Sequence, residues 1–378
     1  MKATRTYLDW NATAPLCREA RAAMLAALDL VGNPSSPHAD GRRARAIVED
    51  AREQVAALVN AKPAEVVFTS GGTEANNAVL VAGWDAIIVS GLEHDSVLAP
   101  ARHGNGRLIE MPVGRNGVAQ AEKFTEGVAL AAGEFGRVLV SLQLANNETG
   151  AVQPVAEIAA SAKASGLFVH TDAVQAAGRI DVDAAALGVD FVTVSAHKLG
   201  GPKGIGAVVV REPATLPAFV AGGGQERRRR AGTENVAAIA GFGAAAQVAR
   251  RERGAMEKVA KLRDALEAGV RATTPDVMIL ADDAPRLPNT TNLALPGLSA
   301  ETLVIALDLK GISASAGAAC SSGKVGASHV LEAMGLEPQV ARAAIRVSLG
   351  PQSTDADVAA FLDAWADIVV RRRERAVA

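Results

Sequence analysis

Six short runs rich in Val and Ile, "EVVFTSGG", "AIIVSGLEH", "RVLVSLQLANN", "LFVHTDA", "FVTVSAHK" and "IGAVVV", punctuate the first two thirds of the chain. Each is apolar without period-2 alternation, so a strand made from it must be covered on both faces. Ala-rich helical stretches lie between several of them, Val155 to Ser165 being one. That rhythm predicts an α/β unit built on a mostly parallel sheet. Such sheets bind ligands outside the carboxyl ends of their strands. Polar residues follow the runs at those ends: Thr69 to Thr73, Glu93-His94, Asn146-Asn147, Asp172, and Ser195 to Lys198.

At 378 residues the chain exceeds what one core usually serves, so two domains are expected. From about Gly254 the texture changes to a charged helix, "EKVAKLRDALEAGVRA", the apolar stretches "TNLALPG" and "AIRVSLG", and a last helix from Thr354. This predicts a large α/β domain over 15–253 and a smaller α+β domain over 1–14 and 254–378. "TYLDWNATAP" could join either part and is assigned to the smaller. There is no internal repeat and no long linker.

Composition excludes several functions. The net charge of −2 lacks the basic field of a nucleic-acid binder, and 3% aromatic residues cannot build a stacking surface. The longest apolar run, "VAAIAGFGAAAQVA" from Val236, is too short and too rich in Ala and Gly to span a membrane. The N-terminus has no apolar signal core, and Cys17 and Cys320 are too far apart in sequence to suggest a disulfide framework. A cytoplasmic protein with reduced thiols is expected.

Three segments carry chemistry. In "FTSGGTEANNAVL" a strand enters a Gly-Gly turn and a helix opens at Thr73, which suits either an anion or a simply capped turn. Asp172 in "VHTDAVQAAG" follows a buried strand and needs a partner, an Arg or backbone N–H on one reading and a protonated ring nitrogen on the other. Lys198 in "VTVSAHKLGGPKG" is either a loop lysine or a desolvated amine suited to Schiff-base chemistry. Pyridoxal phosphate is the cofactor that needs an amine, an acid and a phosphate cradle together. His170 and Asp172 could suggest a metal, but the other histidines lack paired spacing, so a metal ranks low. "GFGAAA" from Gly241 matches a dinucleotide fingerprint yet follows no strand, and is read as chance.

In order along the chain stand "YLDWNATAP", "GNPSSPHADGRRAR", "FTSGGTEANN", "EHDSV", "ANNETG", "HTDAVQAAG", "SAHKLGGPKG", "GGGQERRRRAGTEN", "AACSSG" and "IRVSLG". Through them, over about residues 7 to 350, the chain resembles the cysteine desulfurases of the NifS/IscS branch, fold-type-I pyridoxal-phosphate enzymes of the class V aminotransferase group. The resemblance implies a large domain with a mostly parallel seven-stranded sheet, and removal of sulfur from L-cysteine to give L-alanine and a persulfide on Cys320. Lys198 would hold pyridoxal 5'-phosphate and move the substrate α-proton. Asp172 would pair with the ring nitrogen, Gln175 with the phenolic oxygen, and His94 would stack on the ring and assist proton transfer. Gly72, Thr73, Ser195 and His197 would hold the phosphate, with Thr233 reaching the phosphate site of a neighbouring subunit in a homodimer. Asn147, which would also contact the cofactor, and Arg346 would orient the substrate carboxylate.

The resemblance further implies a sulfur-acceptor protein such as an iron–sulfur scaffold, with no nucleic acid and no membrane as partners. It implies no certain metal site beyond a transient iron–sulfur ligation by Cys320. The Gly/Ser/Ala segment around Cys320 is of the longer kind that NifS and IscS carry, suited to moving sulfur outward. Lys324 is a candidate for lowering the thiol pKa of Cys320. A selenocysteine lyase or another pyridoxal-phosphate lyase or aminotransferase of the same fold is the alternative. Trp10 stands where many relatives have Asn. Cys17 is read as structural, and Arg227 to Arg230 as either a solvated loop or an anion contact near the subunit interface.

Overall fold

The computed structural model describes residues 5–211, 216–317 and 328–377. Seven strands form one sheet in the spatial order Val66–Thr69, Gly206–Val210, Phe191–Ser195, Phe168–Asp172, Val138–Ser141, Ala86–Ser90, Arg107–Met111. Gly206–Val210 runs antiparallel to both neighbours, and every other pairing is parallel. All six expected strands are present. Five are buried at every residue, and Phe168–Asp172 at all but its first.

The seventh strand, Arg107–Met111, escapes the pattern for a physical reason. It is a half-exposed edge paired on one side with Ala86–Ser90, and its "RLIEM" carries charges of both signs. Charge on an edge strand discourages further pairing, at the expense of the apolar run that marks the others.

Successive residues of the strands feed opposite cores. Ile88 packs with Val55, Val128 and Ile158, from helices Ala39–Leu58, Ala121–Glu134 and Val155–Ala164. Its neighbours Ile87 and Val89 pack with Val79 and Leu98, from Gly72–Leu80 and Asp95–His103. "GFGAAA" lies inside helix Val236–Arg251. A Cβ on Gly243 would come within 2.6 Å of Ala51 Cα, so this glycine serves close helix packing.

A second core gathers Leu8, Leu266, Leu293, Ile345, Phe361 and Trp365. It is framed by an antiparallel sheet in the order Ser315–Ala316, Ala344–Ser348, Thr290–Ala294, Met278–Ile279, and by helices Ala255–Thr273, Ala300–Leu309 and Asp355–Val377. The short strand Thr6–Tyr7 pairs in parallel with Ile312–Ser313, so the N-terminal segment joins this core. It then crosses to the large sheet, where the Ala14 N–H donates to the His197 carbonyl at 2.8 Å. Among the described residues no helix is long and apolar enough to cross a membrane.

Candidate active site

A cavity of about 350 Å³ lies at the carboxyl ends of the parallel strands. It is lined by Gly72, Thr73, His94, Asn147, Asp172, Gln175, Ser195, His197, Lys198 and Arg346, so the fold brings together residues spread over 275 positions of sequence. Thr233 is not among them; it lies in a separate recess with Ser70, Glu226 and Arg230. Cys320 and Lys324 fall outside the described residues.

One end of the cavity suits a phosphate. Helix Gly72–Leu80 begins after Gly71, whose φ of 154° and missing side chain leave the first-turn N–H groups without a cap. A Cβ on Gly72 would sit 3.1 Å from Val174 Cγ2 and 3.5 Å from Ser195 Cβ, which explains the second glycine. His197 is pushed down to about 4 by burial and by the nearby Lys198, Lys203 and Arg179 charges. A neutral imidazole there still offers one N–H to an anion.

The middle suits a cationic heterocycle. Asp172 Oδ1 accepts from Val174 N at 2.9 Å and Oδ2 from Asn76 Nδ2 at 2.7 Å. Both donors are neutral, and no cation pairs with Asp172 among the described residues, so its charge is available to a protonated ring nitrogen. Asn76 Nδ2 also donates to Ser96 Oγ at 2.8 Å, and Ser96 N donates to His94 Nδ1 at 3.0 Å. Accepting that bond makes Nδ1 the unprotonated nitrogen, so the neutral His94 ring carries its proton on Nε2. Lys198 reaches the cavity through the single turn Ala196–Lys198, and its Nζ donates to the carbonyls of Asn11 at 2.5 Å and Ala12 at 3.0 Å. Gln175 Nε2 donates to the same Asn11 carbonyl at 3.1 Å.

The far end suits a carboxylate. Arg346, on strand Ala344–Ser348, is 2% exposed, and its Nη2 bonds Asp9 Oδ1 at 2.9 Å while Nη1 bonds the Asn147 carbonyl at 3.0 Å. Its Nε is buried with no partner among the described residues. Donor set, charges and cradle therefore fit pyridoxal 5'-phosphate: an amine, a carboxylate, an amide donor and an uncapped helix start face one cavity.

The likenesses to known proteins agree with this geometry. The class-V aminotransferase model matches residues 6–361, and the chain belongs to that family, whose members depend on pyridoxal phosphate. Within the family it is 38% identical to a cysteine desulfurase of Sinorhizobium fredii, over 97% of either chain. Among solved structures it resembles a NifS-like protein from Rickettsia africae, with TM-score 0.89, 34% identity, and coverage of 97% of this chain and 99% of that one. It also resembles SspA in complex with cysteine, with TM-score 0.78, 27% identity, and coverage of 92% and 100%.

Several residues that shape the site were not foreseen. Asp9 and Asn11 come from the N-terminal crossing, and nothing local in "DWNATAP" says that the Asn11 carbonyl will receive Lys198. Asn76 looks like an ordinary helical residue until Asp172 is placed beside it. Glu148 is pushed up to about 7 by burial and accepts from Ser328 Oγ at 2.6 Å. A Cβ on Gly317 would come within 2.8 Å of Glu148 Oε2, so both ends of segment 318–327 sit against this carboxyl.

Three features singled out in the sequence have partners within the chain. His170 bonds Ser141 Oγ at 2.8 Å and Thr193 Oγ1 at 3.1 Å, a buried sheet histidine held by two hydroxyls. Cys17 caps helix Arg18–Leu28 by accepting from Ala20 N at 3.4 Å. In the arginine run, Arg230 pairs with Glu74 at 2.9 Å and Arg227 donates to the Ala64 carbonyl at 2.6 Å, while Glu226 forms a buried pair with Arg52 at 2.8 Å.

The buried His170 works against stability in acid. Burial pushes it down to about 4 from an ordinary 6.5. A folded-state value below the unfolded one gives stability that is full above about pH 6.5 and lost as pH falls towards 4. One such group is worth about 3 kcal/mol over that window. Glu93, pushed up to about 8 by burial, acts in the opposite sense, so the comparison must be with a variant. Urea unfolding at pH 7 and pH 4.5 is expected to show a smaller stability loss for His170→Asn than for the parent protein; equal losses would contradict the assignment.

Proposed function

We propose that this chain removes sulfur from L-cysteine, with the roles of cofactor and substrate groups distributed as the cavity distributes its side chains. Membership of the class-V family and full-length similarity to cysteine desulfurases make the chain a pyridoxal-phosphate-dependent cysteine desulfurase; the lyase and aminotransferase alternatives are not favoured. The observation that carries the residue assignment is the convergence of Lys198, Asp172, His94, Gln175 and Arg346 on one cavity.

Bound pyridoxal phosphate draws electrons from the substrate α-carbon and weakens the bond from Cβ to sulfur. Arg346 and Asn147 hold the substrate carboxylate. Lys198 Nζ takes the α-proton, in a cavity whose carbonyls at Asn11 and Ala12 already orient it. His94 Nε2 carries a proton towards the reacting atoms. The Cys320 thiolate attacks the substrate sulfur, so that an S–S bond forms as the Cβ–S bond breaks. The carbon skeleton takes up protons and leaves as L-alanine. Sulfur on Cys320 then passes to an acceptor protein, an iron–sulfur scaffold being the reading that the resemblance favours. We further propose a division into 15–253 and 1–14 with 254–378, a homodimer in which Thr233 completes the partner's phosphate site, and a cytoplasmic location.

Assay of alanine and sulfide from L-cysteine with a reductant tests the activity, and parallel turnover of selenocysteine and cysteine sulfinate tests the substrate. Arg346→Lys keeps the charge but loses the two-pronged geometry, and should raise KM for L-cysteine about 10- to 100-fold. An unchanged KM would remove Arg346 from substrate binding.

A further inference from the structure

Arg179 is a buried cation that the reaction as set out above does not use. It follows Gly178, whose φ is 81°, in the turn after strand Phe168–Asp172, and is 7% exposed. Its Nη1 donates to the Gln175 carbonyl at 2.7 Å and to Gln175 Oε1. Its Nη2 donates to the carbonyls of Trp10 at 3.3 Å and Lys198 at 3.5 Å. Every one of these acceptors is neutral, and no carboxylate pairs with Arg179 among the described residues. A guanidinium buried without a counter-ion is costly, and carbonyl bonds offset only part of that cost. Burial, with repulsion from Arg346, pushes it down to about 9, so it still carries its charge at neutral pH.

The consequence lies in the amide of Gln175. An amide side chain presents oxygen on one side and NH₂ on the other, and the two ends are easily exchanged. A guanidinium can only donate, so Arg179 takes the oxygen end. The NH₂ end then points to the Asn11 carbonyl, beside Lys198 Nζ. Whatever anionic atom lies next to Lys198 therefore meets a donor from Gln175, backed by a positive charge.

We propose that Arg179 is a positioning residue that locks Gln175 with its NH₂ towards the phenolic oxygen of the cofactor and, through its charge, keeps that oxygen ionised. This rests on the reading that pyridoxal phosphate occupies the cavity on Lys198 with Gln175 at the phenolic oxygen. The arrangement favours loss of the proton shared between the Lys198 nitrogen and that oxygen. It also gives the buried guanidinium a nearby anion.

The test is the pH titration of the visible absorption band in the purified holoenzyme, read without substrate. Arg179→Met should move the midpoint upward by about one pH unit, as expected for loss of one nearby charge from a buried site. Gln175→Leu should also move it upward, and adding Gln175→Leu to Arg179→Met should move it less than it does in the parent. A purely structural Arg179 would lower the thermal midpoint and leave the titration in place; that result overturns the proposal. If Arg179→Met does not fold, Arg179→Lys decides: one ammonium cannot hold Gln175 Oε1 and three carbonyls together, so the midpoint should still rise by several tenths of a unit, and an unchanged midpoint overturns the proposal. Failure of the underlying reading looks different, because the parent protein itself would then show no titrating band and no borohydride-fixed cofactor on Lys198.

Discussion

Lys198→Ala is expected to yield a folded protein that retains no covalently fixed cofactor after borohydride reduction and releases sulfur from L-cysteine at least about 10³-fold more slowly. Two losses combine in that figure. The amine that holds the cofactor is gone, and so is the base that moves the α-proton. Folding should survive, because Lys198 reaches the cavity from a turn whose strand, Phe191–Ser195, is buried independently of it. The Ala12 carbonyl loses the Lys198 donor, while the Asn11 carbonyl keeps its bond from Gln175 Nε2. They face a cavity with room for water, so the cost to stability should be about 1 kcal/mol. Mass mapping of the reduced parent protein checks the assignment directly. A cofactor found on any other lysine, or an unmodified Lys198, would sink it.

Cys320→Ser should separate the two halves of the reaction. The variant is expected to bind cofactor with an unchanged visible band, because none of the described groups lining the cavity is altered. Sulfide and acceptor-bound sulfur should fall by at least about 10²-fold, since a hydroxyl does not ionise near neutral pH as a thiol can. The assignment of Cys320 rests on the resemblance of "AACSSG" and on where its segment is rooted. Strand Ser315–Ala316 lies beside Arg346, with Ser315 Oγ donating to Asp9 Oδ2 at 2.7 Å. Ser328, on the other side, donates to Glu148. One root thus lies beside the arginine proposed to hold the substrate carboxylate, and the other on a carboxyl that feels the charge of that arginine. Sulfur release at the full rate from Cys320→Ser would show that another group accepts the sulfur.

The two predictions differ in how far they could be read from sequence. Lys198, Asp172 and the Gly71–Thr73 turn are legible because each ends an apolar run, and a run buried on both faces can only deliver its next polar residue to the sheet's carboxyl edge. Arg107–Met111 was not legible because an edge strand needs charge where the central strands need Val and Ile. Asp9, Asn11, Asn76 and Arg179 were not legible because what matters about them is a partner far along the chain. Asn11 offers a backbone carbonyl, which has no residue identity at all, and Arg179 is informative only once it is seen to be buried among neutral acceptors.

Local sequence thus determined the layered α/β architecture, the polar carboxyl edge of its sheet, and the residue types that pyridoxal phosphate requires; these follow from burial and from short-range turn chemistry. The tertiary structure decided which of them meet. It brought the second core's Arg346 and the N-terminal carbonyls across to Lys198 and turned the Gln175 amide by way of Arg179. It also left Thr233 in a separate recess. Those outcomes depend on contacts between segments remote in sequence, whose energies no local pattern encodes.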